Sequence, residues 1–283
     1  MKVRLLPLFF LFITPLIAME GYRDSYWMHN DSYQPHPRCA EDFHECENTS
    51  YPYFNDNPLL TKAMKKRFLP YLLPLNHPLK PSLDALFSSG RVTESKTTLE
   101  EAGFQILFSQ PRSFVTVARH PQFPGFIFKL YLDTETQLKY NFPSWYWLAN
   151  RCEGAMRIRE CIKKHHIRFF RVPDKWLYLL PVDPPSNGPI QQPVIVIETD
   201  MNLVSDSIEV WKNVNDKEVL DELYQILSKG YGSHELGGNV PYSQNGQFVF
   251  IDTEYPLREI GLKRVKPYLS PKMADYWEHL IKK

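Results

Sequence analysis

From about residue 100 onward the chain alternates short apolar runs with turn residues. Phe104–Phe108 and Phe114–Ala118 flank Ser109-Gln110-Pro111-Arg112-Ser113, and Phe126–Leu132 follows the turn His120–Gly125, so three strands of an antiparallel meander are predicted. The period then lengthens. Across Pro143–Ile167 the residues Trp145, Leu148, Ala155, Ile158 and Ile162 form one apolar stripe at helical spacing, which predicts a single long helix. Trp176–Leu180 and Val194–Glu198 return to strand character on either side of a Pro/Ser/Asn/Gly loop. The expected unit is a five-stranded antiparallel sheet with one helix.

The second half reads as helices around a hairpin. Asp206–Val214 and Asp216–Lys229 are helical, the latter with Val219, Leu220, Leu223, Ile226 and Leu227 on one face and Asp216 placed as N-cap. Gly230–Asn239 holds four glycines in ten residues. Tyr242 and Gln247–Asp252 flank Ser243-Gln244-Asn245-Gly246, where Asn-Gly predicts a hairpin turn, and the stretch beyond is mostly helical. Upstream, residues 19–57 are aromatic and polar without a period and read as an irregular arm. Asn57-Pro58 opens a helix-like run to Leu69, in which Lys62, Lys65, Lys66 and Arg67 make a solvated face, and a linker with Pro70, Pro74, Pro78 and Pro81 follows. The fold class is α+β, divided into 19–98 as an extension, 99–198 as a sheet-bearing lobe and 199–283 as a reduced, mainly helical lobe.

Residues 1–18 are set apart. Lys2 and Arg4 precede the apolar run Leu5–Ile17 and Ala18, the pattern of a signal peptide cleaved after Ala18, and the run falls short of the ~20 residues that span hydrocarbon. This predicts a secreted, periplasmic or lumenal protein with no stable membrane anchor after cleavage. Four cysteines then suit an oxidising compartment, with Cys39–Cys46 as the local pairing. Cys152 and Cys161, nine residues apart on the long helix, face different sides and do not pair. His36, Cys39, His44 and Cys46 leave a zinc site open as the alternative. With 33 Lys+Arg against 32 Asp+Glu there is no overall field for nucleic acid or anionic lipid, and 43% hydrophobic residues exclude disorder.

Lys129 ends the apolar strand Phe126-Ile127-Phe128-Lys129, and Glu153 lies on the long helix in Arg151-Cys152-Glu153-Gly154-Ala155. Ser233-His234-Glu235-Leu236-Gly237-Gly238-Asn239 precedes Phe248-Val249-Phe250-Ile251-Asp252-Thr253-Glu254, and Asp252 puts a charge at the rim of a core, which costs energy unless it is used. In this order the four elements resemble the protein-kinase-like fold, including its aminoglycoside-phosphotransferase-type branch. In that family a strand Lys neutralises nucleotide phosphates and pairs with a helix Glu, while a loop Asn and a strand-end Asp hold Mg²⁺. The resemblance implies ATP and Mg²⁺ as cofactors, Lys129 as the phosphate lysine with Glu153 its preferred partner and Glu160 the alternative, and Asn239 and Asp252 as metal ligands. It makes Val194–Leu203 the hinge strand and linker, with Glu198 among the nucleotide-binding residues.

The chain departs from the family pattern in three places. His234 stands five residues before Asn239, where the family has its catalytic Asp, so His234 and the adjacent Glu235 are the candidate bases. The Gly-rich phosphate loop is absent, and Asp252-Thr253-Glu254 replaces Asp-Phe-Gly. Two functions follow: an exported ATP-dependent phosphotransferase acting on an unknown protein or small-molecule acceptor, or a catalytically degenerate pseudokinase serving as a secreted protein-interaction module. A third class, a glycosidase, rests on Glu198, Asp200, Glu235, Asp252 and Glu254, since two carboxylates at a fixed separation suffice for that chemistry.

Overall fold

The computed structural model describes residues 54–109, 115–135 and 139–282, which belong to one compact unit, Asn48–Lys283. The expected signal peptide, the expected irregular arm up to residue 53 with Cys39, Cys46, His36 and His44, and the turn at 110–114 with Arg112 lie outside the described residues.

The stretch expected to be a linker folds instead. Helix α1 (Lys62–Phe68) is capped by the Thr61 hydroxyl, which accepts from the Met64 N–H, and a 3₁₀ turn over Leu69–Tyr71 follows it. Helix α2 (Lys80–Ser88) carries Pro81 in its first turn, where a missing N–H removes no helical hydrogen bond. Helix α3 (Lys96–Glu101) starts with a reciprocal capping box between Ser95 and Thr98. Proline therefore punctuates this segment without unfolding it.

Strands β1 (Gln105–Ser109), β2 (Thr116–Arg119) and β3 (Phe126–Leu130) form the expected meander, followed by the long helix α4 (Ser144–His165), the short β4 (Phe170–Arg171), β5 (Lys175–Leu179) and β6 (Val194–Thr199). The sheet order is β1-β2-β3-β6-β5, and every neighbouring pair is antiparallel. Residues at every second position share a face. On one face Val194, Val196 and Leu177 pack against Leu148 and Cys152 of α4 and against Met64 and Phe68 of α1. On the other, Phe128, Leu130, Ile195 and Ile197 pack against Leu83 and Phe87 of α2 and Leu99 of α3. The sheet is thus covered on both sides, and the extension supplies much of the cover.

The second half is built on α5 (Ser207–Lys212), α6 (Lys217–Leu227), the one-turn α7 (Leu236–Asn239), β7 (Phe248–Val249), a 3₁₀ segment over Leu262–Tyr268 and α8 (Pro271–Leu280). Its core joins Leu220, Leu223 and Ile226 of α6 and Trp277 of α8 to Ile158 and Cys161 at the end of α4. Helix α4 therefore belongs to both cores. The predicted Asn-Gly hairpin forms, with the Gly246 N–H donating to Ser243 O at 3.0 Å, the Ser243 N–H to Gln247 O at 2.8 Å and Tyr242 bridging Phe248 antiparallel, and on its other side β7 takes a second partner that the sequence did not suggest, pairing in parallel with β4. The cause is aromatic packing, since Phe248 stacks on Phe170 at 5.7 Å and on Trp211 at 3.8 Å, which draws the strand toward β4. Among the described residues no helix is long and apolar enough to cross a membrane.

Candidate functional site

Lys129, Glu198 and Lys175 lie on one face of three adjacent strands. Lys175 stands directly opposite Glu198, and Ile127, two residues before Lys129, is Glu198's partner on the other side. The strand period therefore brings both ammonium groups to the same carboxylate, Lys129 Nζ at 2.9 Å from Oε1 and Lys175 Nζ at 2.9 Å from Oε2. Each lysine also donates to the carbonyl of Ile251, at 2.8 and 2.7 Å. Two long side chains from the sheet thus hold the backbone immediately before Asp252. Burial pulls the Lys175 ammonium down to about 8 against the opposing pull of Glu198. Burial would raise the Glu198 carboxyl, but Lys129 and Lys175 outweigh it and keep it below its ordinary value.

The expected pairing of Lys129 with Glu153 is not made. Glu153 bonds Arg67 of α1 at 2.5 Å and Arg157, one turn along α4, at 2.7 Å. The reason lies one residue away. A Cβ on Gly154 would stand 2.1 Å from the carbonyl oxygen of Thr253, so the glycine lets α4 press its backbone against the 252–254 segment. That contact is tied by Thr253 Oγ1, which donates to Arg151 O at 2.6 Å. The helix face toward Asp252 is then occupied by Arg151, whose guanidinium donates to Asp252 Oδ1 at 2.5 Å and to Glu254 Oε2 at 3.2 Å. Lys139 completes the group through Glu254 Oε1 at 2.6 Å. Four cations, Lys129, Lys175, Arg151 and Lys139, face three carboxylates, Glu198, Asp252 and Glu254, so this buried network carries an excess positive charge.

Asp252 also opens onto a cavity of about 210 Å³, which it lines together with Ser233, His234, Glu235, Asn239 and Arg258. Four residues singled out by the kinase-like resemblance, His234, Glu235, Asn239 and Asp252, thus meet at one place. Their freedom differs. Glu235 caps α7 by accepting from Gly238 N at 2.9 Å, and its other oxygen accepts from the Tyr268 hydroxyl at 2.8 Å. Asn239 uses its amide N–H on Ser233 Oγ at 2.9 Å, which leaves the amide oxygen available, and its backbone carbonyl accepts from Ile251 N. His234 makes no hydrogen bond to the described residues, and burial, aided by Arg264 and Arg258, lowers its pKa, so the ring is neutral and able to take a proton at pH 7. Of the two candidate bases, His234 is the available one.

Burial would raise the Asp252 carboxyl, but Arg151, Lys129 and Lys175 hold it at about 2. A carboxylate depressed in the fold adds stability that is present above its unfolded value of 3.8 and disappears as pH falls toward 2. Asp252→Asn is therefore expected to flatten the fall in unfolding free energy between pH 4 and pH 2 by ~2 kcal/mol. Urea titrations of both proteins across that range check it, and an unchanged acid limb would sever Asp252 from Arg151.

Sequence reasoning isolates Lys129, Glu198, Asn239 and Asp252 but misses Lys175, Arg151 and Arg67 as site residues. Lys175 was legible. Strand β5 begins one residue earlier than its apolar run, and with that residue included Lys175 falls in register with Glu198. Of the glycosidase carboxylates, Asp200 pairs with Arg119 at 2.6 Å, while Glu198 and Glu254 are locked in buried ion pairs, so none of the three is placed as a free acid. No group of three or more His, Cys, Asp or Glu side chains is poised around a metal among the described residues. Cys152 and Cys161 are unpaired thiols, and burial pushes Cys152 up to about 12. No known family model matches this chain, and no curated protein matches it in sequence.

Proposed function

We propose that this chain is an exported kinase-like protein that binds a magnesium-bound nucleotide between its sheet and its helical half and passes a phosphoryl group to a hydroxyl acceptor. The observation that carries the reading is the convergence of His234, Glu235, Asn239 and Asp252 on one cavity, with Lys129 bonded to the carbonyl of the residue preceding Asp252. The strand order supports it as well, because β6 lies beside β3 and sets the proposed hinge next to the lysine.

The residues fit the cofactor in chemical type. Asp252 and Asn239 offer a carboxylate and an amide oxygen, hard donors suited to Mg²⁺, and two protein donors suffice where phosphate and water supply the rest. The excess positive charge around Lys129 and Arg151 suits a polyanion. When bound, the magnesium nucleotide supplies the transferable group and neutralises its developing charge. The chain's own work is narrower. Lys129 presents an ammonium whose position is set by Glu198 and Ile251. Lys175 holds Glu198 from behind. His234 accepts the acceptor's hydroxyl proton on a ring nitrogen.

A second reading, a pseudokinase that serves as a secreted interaction module, is favoured by two observations: Arg151 already occupies Asp252 Oδ1, and Glu235 is consumed by its cap. One experiment separates the two. Thermal unfolding with Mg-ATP at about 100 times its dissociation constant is expected to gain ~2.7 kcal/mol, or about 5 °C, with loss of the gain in Lys129→Ala and Asp252→Ala. No gain at saturating Mg-ATP sinks nucleotide binding altogether. A gain without phosphate release or transfer assigns the chain to the interaction module.

A further inference from the structure

The cavity that holds Asp252 is charged asymmetrically. Its two carboxylates are already engaged: Asp252 by the Arg151 guanidinium, and Glu235 by the Gly238 N–H and the Tyr268 hydroxyl. Its lining arginine is not. Arg258 lines the cavity with its guanidinium over the Tyr255 ring at 4.7 Å, and it forms no ion pair with any described carboxylate. Arg264, six residues on, packs its side-chain stem beside Gly261 and is likewise without an ion pair among the described residues. Both are exposed, and the charge of each reaches His234, the free base of the cavity.

The backbone keeps Arg258 in place. Its N–H donates to Gly230 O at 3.0 Å, and a Cβ on Gly230 would come within 2.7 Å of the Arg258 carbonyl oxygen. Gly230 has φ +78°, a conformation that few other residues adopt. The Arg258 segment is thereby pinned against the start of the glycine-rich loop that carries His234. An arginine stacked on a ring keeps its planar fork free for a carboxylate, and this suits it to anions rather than to general surface solubility.

We infer that the mouth of this cavity, lined by Arg258 and followed by Arg264 beside Gly261, the neighbour of the lining residue Ile260, receives an acidic peptide segment, so that the acceptor hydroxyl presented to His234 is flanked by carboxylates. The inference deepens the phosphotransfer reading and rests on it for the identity of the acceptor. Two exposed guanidiniums on one stretch of chain favour an extended ligand bearing more than one negative charge. A cavity of about 210 Å³ has room for a residue-sized side chain at His234 rather than for a folded domain. The two arginines would act in binding and selectivity, since neither is placed to exchange a proton with the hydroxyl.

The test measures binding of a fluorescein-labelled Glu-Glu-Ser-Glu-Glu peptide to the full chain by anisotropy, without nucleotide, beside a Lys-Lys-Ser-Lys-Lys peptide. The acidic peptide is expected to bind and the basic one not to. The Arg258→Glu/Arg264→Glu double variant, with both changes at exposed positions, is expected to weaken binding at least tenfold, whereas Lys212→Glu on α5 leaves it unchanged. Equal binding of the two peptides, or an unaffected double variant, overturns the inference. So does capture of a sulfated oligosaccharide in place of the peptide. The Mg-ATP thermal gain, measured on the same variants, keeps the two proposals apart. If that gain is absent in the wild-type chain while acidic-peptide binding depends on the arginines, nucleotide binding falls and the peptide site stands. If the double variant loses the nucleotide gain but keeps the peptide, the arginines serve the nucleotide and the inference fails.

Discussion

Gly154→Ala is expected to destabilise the protein by on the order of 3 kcal/mol, at the upper end of what an added methyl costs in a well-packed interior. The new Cβ would meet the Thr253 carbonyl oxygen at 2.1 Å and the Thr253 Cβ at 3.0 Å, and a backbone carbonyl cannot swing aside as a side chain does. To make room, α4 has to lift from the 252–254 segment, breaking the 2.6 Å bond from Thr253 Oγ1 to Arg151 O and shifting Arg151 off Asp252. The change therefore reaches the site as well as the fold. Urea unfolding measures the first effect and the Mg-ATP thermal gain the second. Gly90→Ala is the control: a Cβ there would find nothing within 4 Å, and the substitution is expected to be neutral or slightly stabilising through the unfolded chain. A Gly154→Ala protein as stable as the control would contradict the close approach of α4.

Glu198→Gln is expected to cost more, about 3–5 kcal/mol at pH 7, because it leaves two buried ammonium groups facing a neutral amide. Lys175 is fully buried and Lys129 nearly so, and neither has another carboxylate at ion-pair distance among the described residues. The deficit carries a pH signature. A lysine whose folded pKa lies below its unfolded value binds fewer protons in the native state than in the unfolded state between the two values, so stability rises with pH in that window. In the wild type the window for Lys175 runs from about 8 to 10.5. Without Glu198 to support its charge, its lower edge moves down, so the variant recovers stability as pH rises from 7 toward 10, more steeply than the wild type. Denaturation at pH 7 and pH 9.5 checks this, and a deficit that stays constant would mean that the lysines are not the cause. Glu153→Gln is the informative companion, since its carboxylate serves Arg67 and Arg157 and leaves the Lys129 pair untouched.

Much of this architecture is written in the chain. The five strands of the sheet, the long helix and the amphipathic α6 follow from period alone, because a half-buried strand or helix must turn one face to the core. The order of Lys129, His234, Glu235, Asn239 and Asp252 was also legible, and the fold brings the last four to one cavity. What the chain left open was pairing. A one-residue difference at the start of β5 hid Lys175, because strand ends are set by neighbouring strands and not by the strand's own residues. The Asn-Gly hairpin forms as its residues predict, yet the second partner of β7, strand β4, was chosen by Phe170 and Trp211, residues far away in sequence.

The partner of Lys129 was decided in the same way. Sequence offered Glu153 on the helix, and it specified a glycine beside it that permits close approach. Only the tertiary structure decides what approaches: the backbone of Thr253 meets Gly154, Arg151 turns to Asp252, Arg67 from the proline-rich extension takes Glu153, and Lys129 is left to Glu198 across the sheet. The physical reason is that a buried charge must be neutralised by whichever opposite charge the packing brings within a few ångströms, and packing is a property of the whole core. The sequence by itself determined the elements, the glycine that sets the helix against the site and the charges available there. Which charge answers which was settled by the distances between elements that only folding brings together.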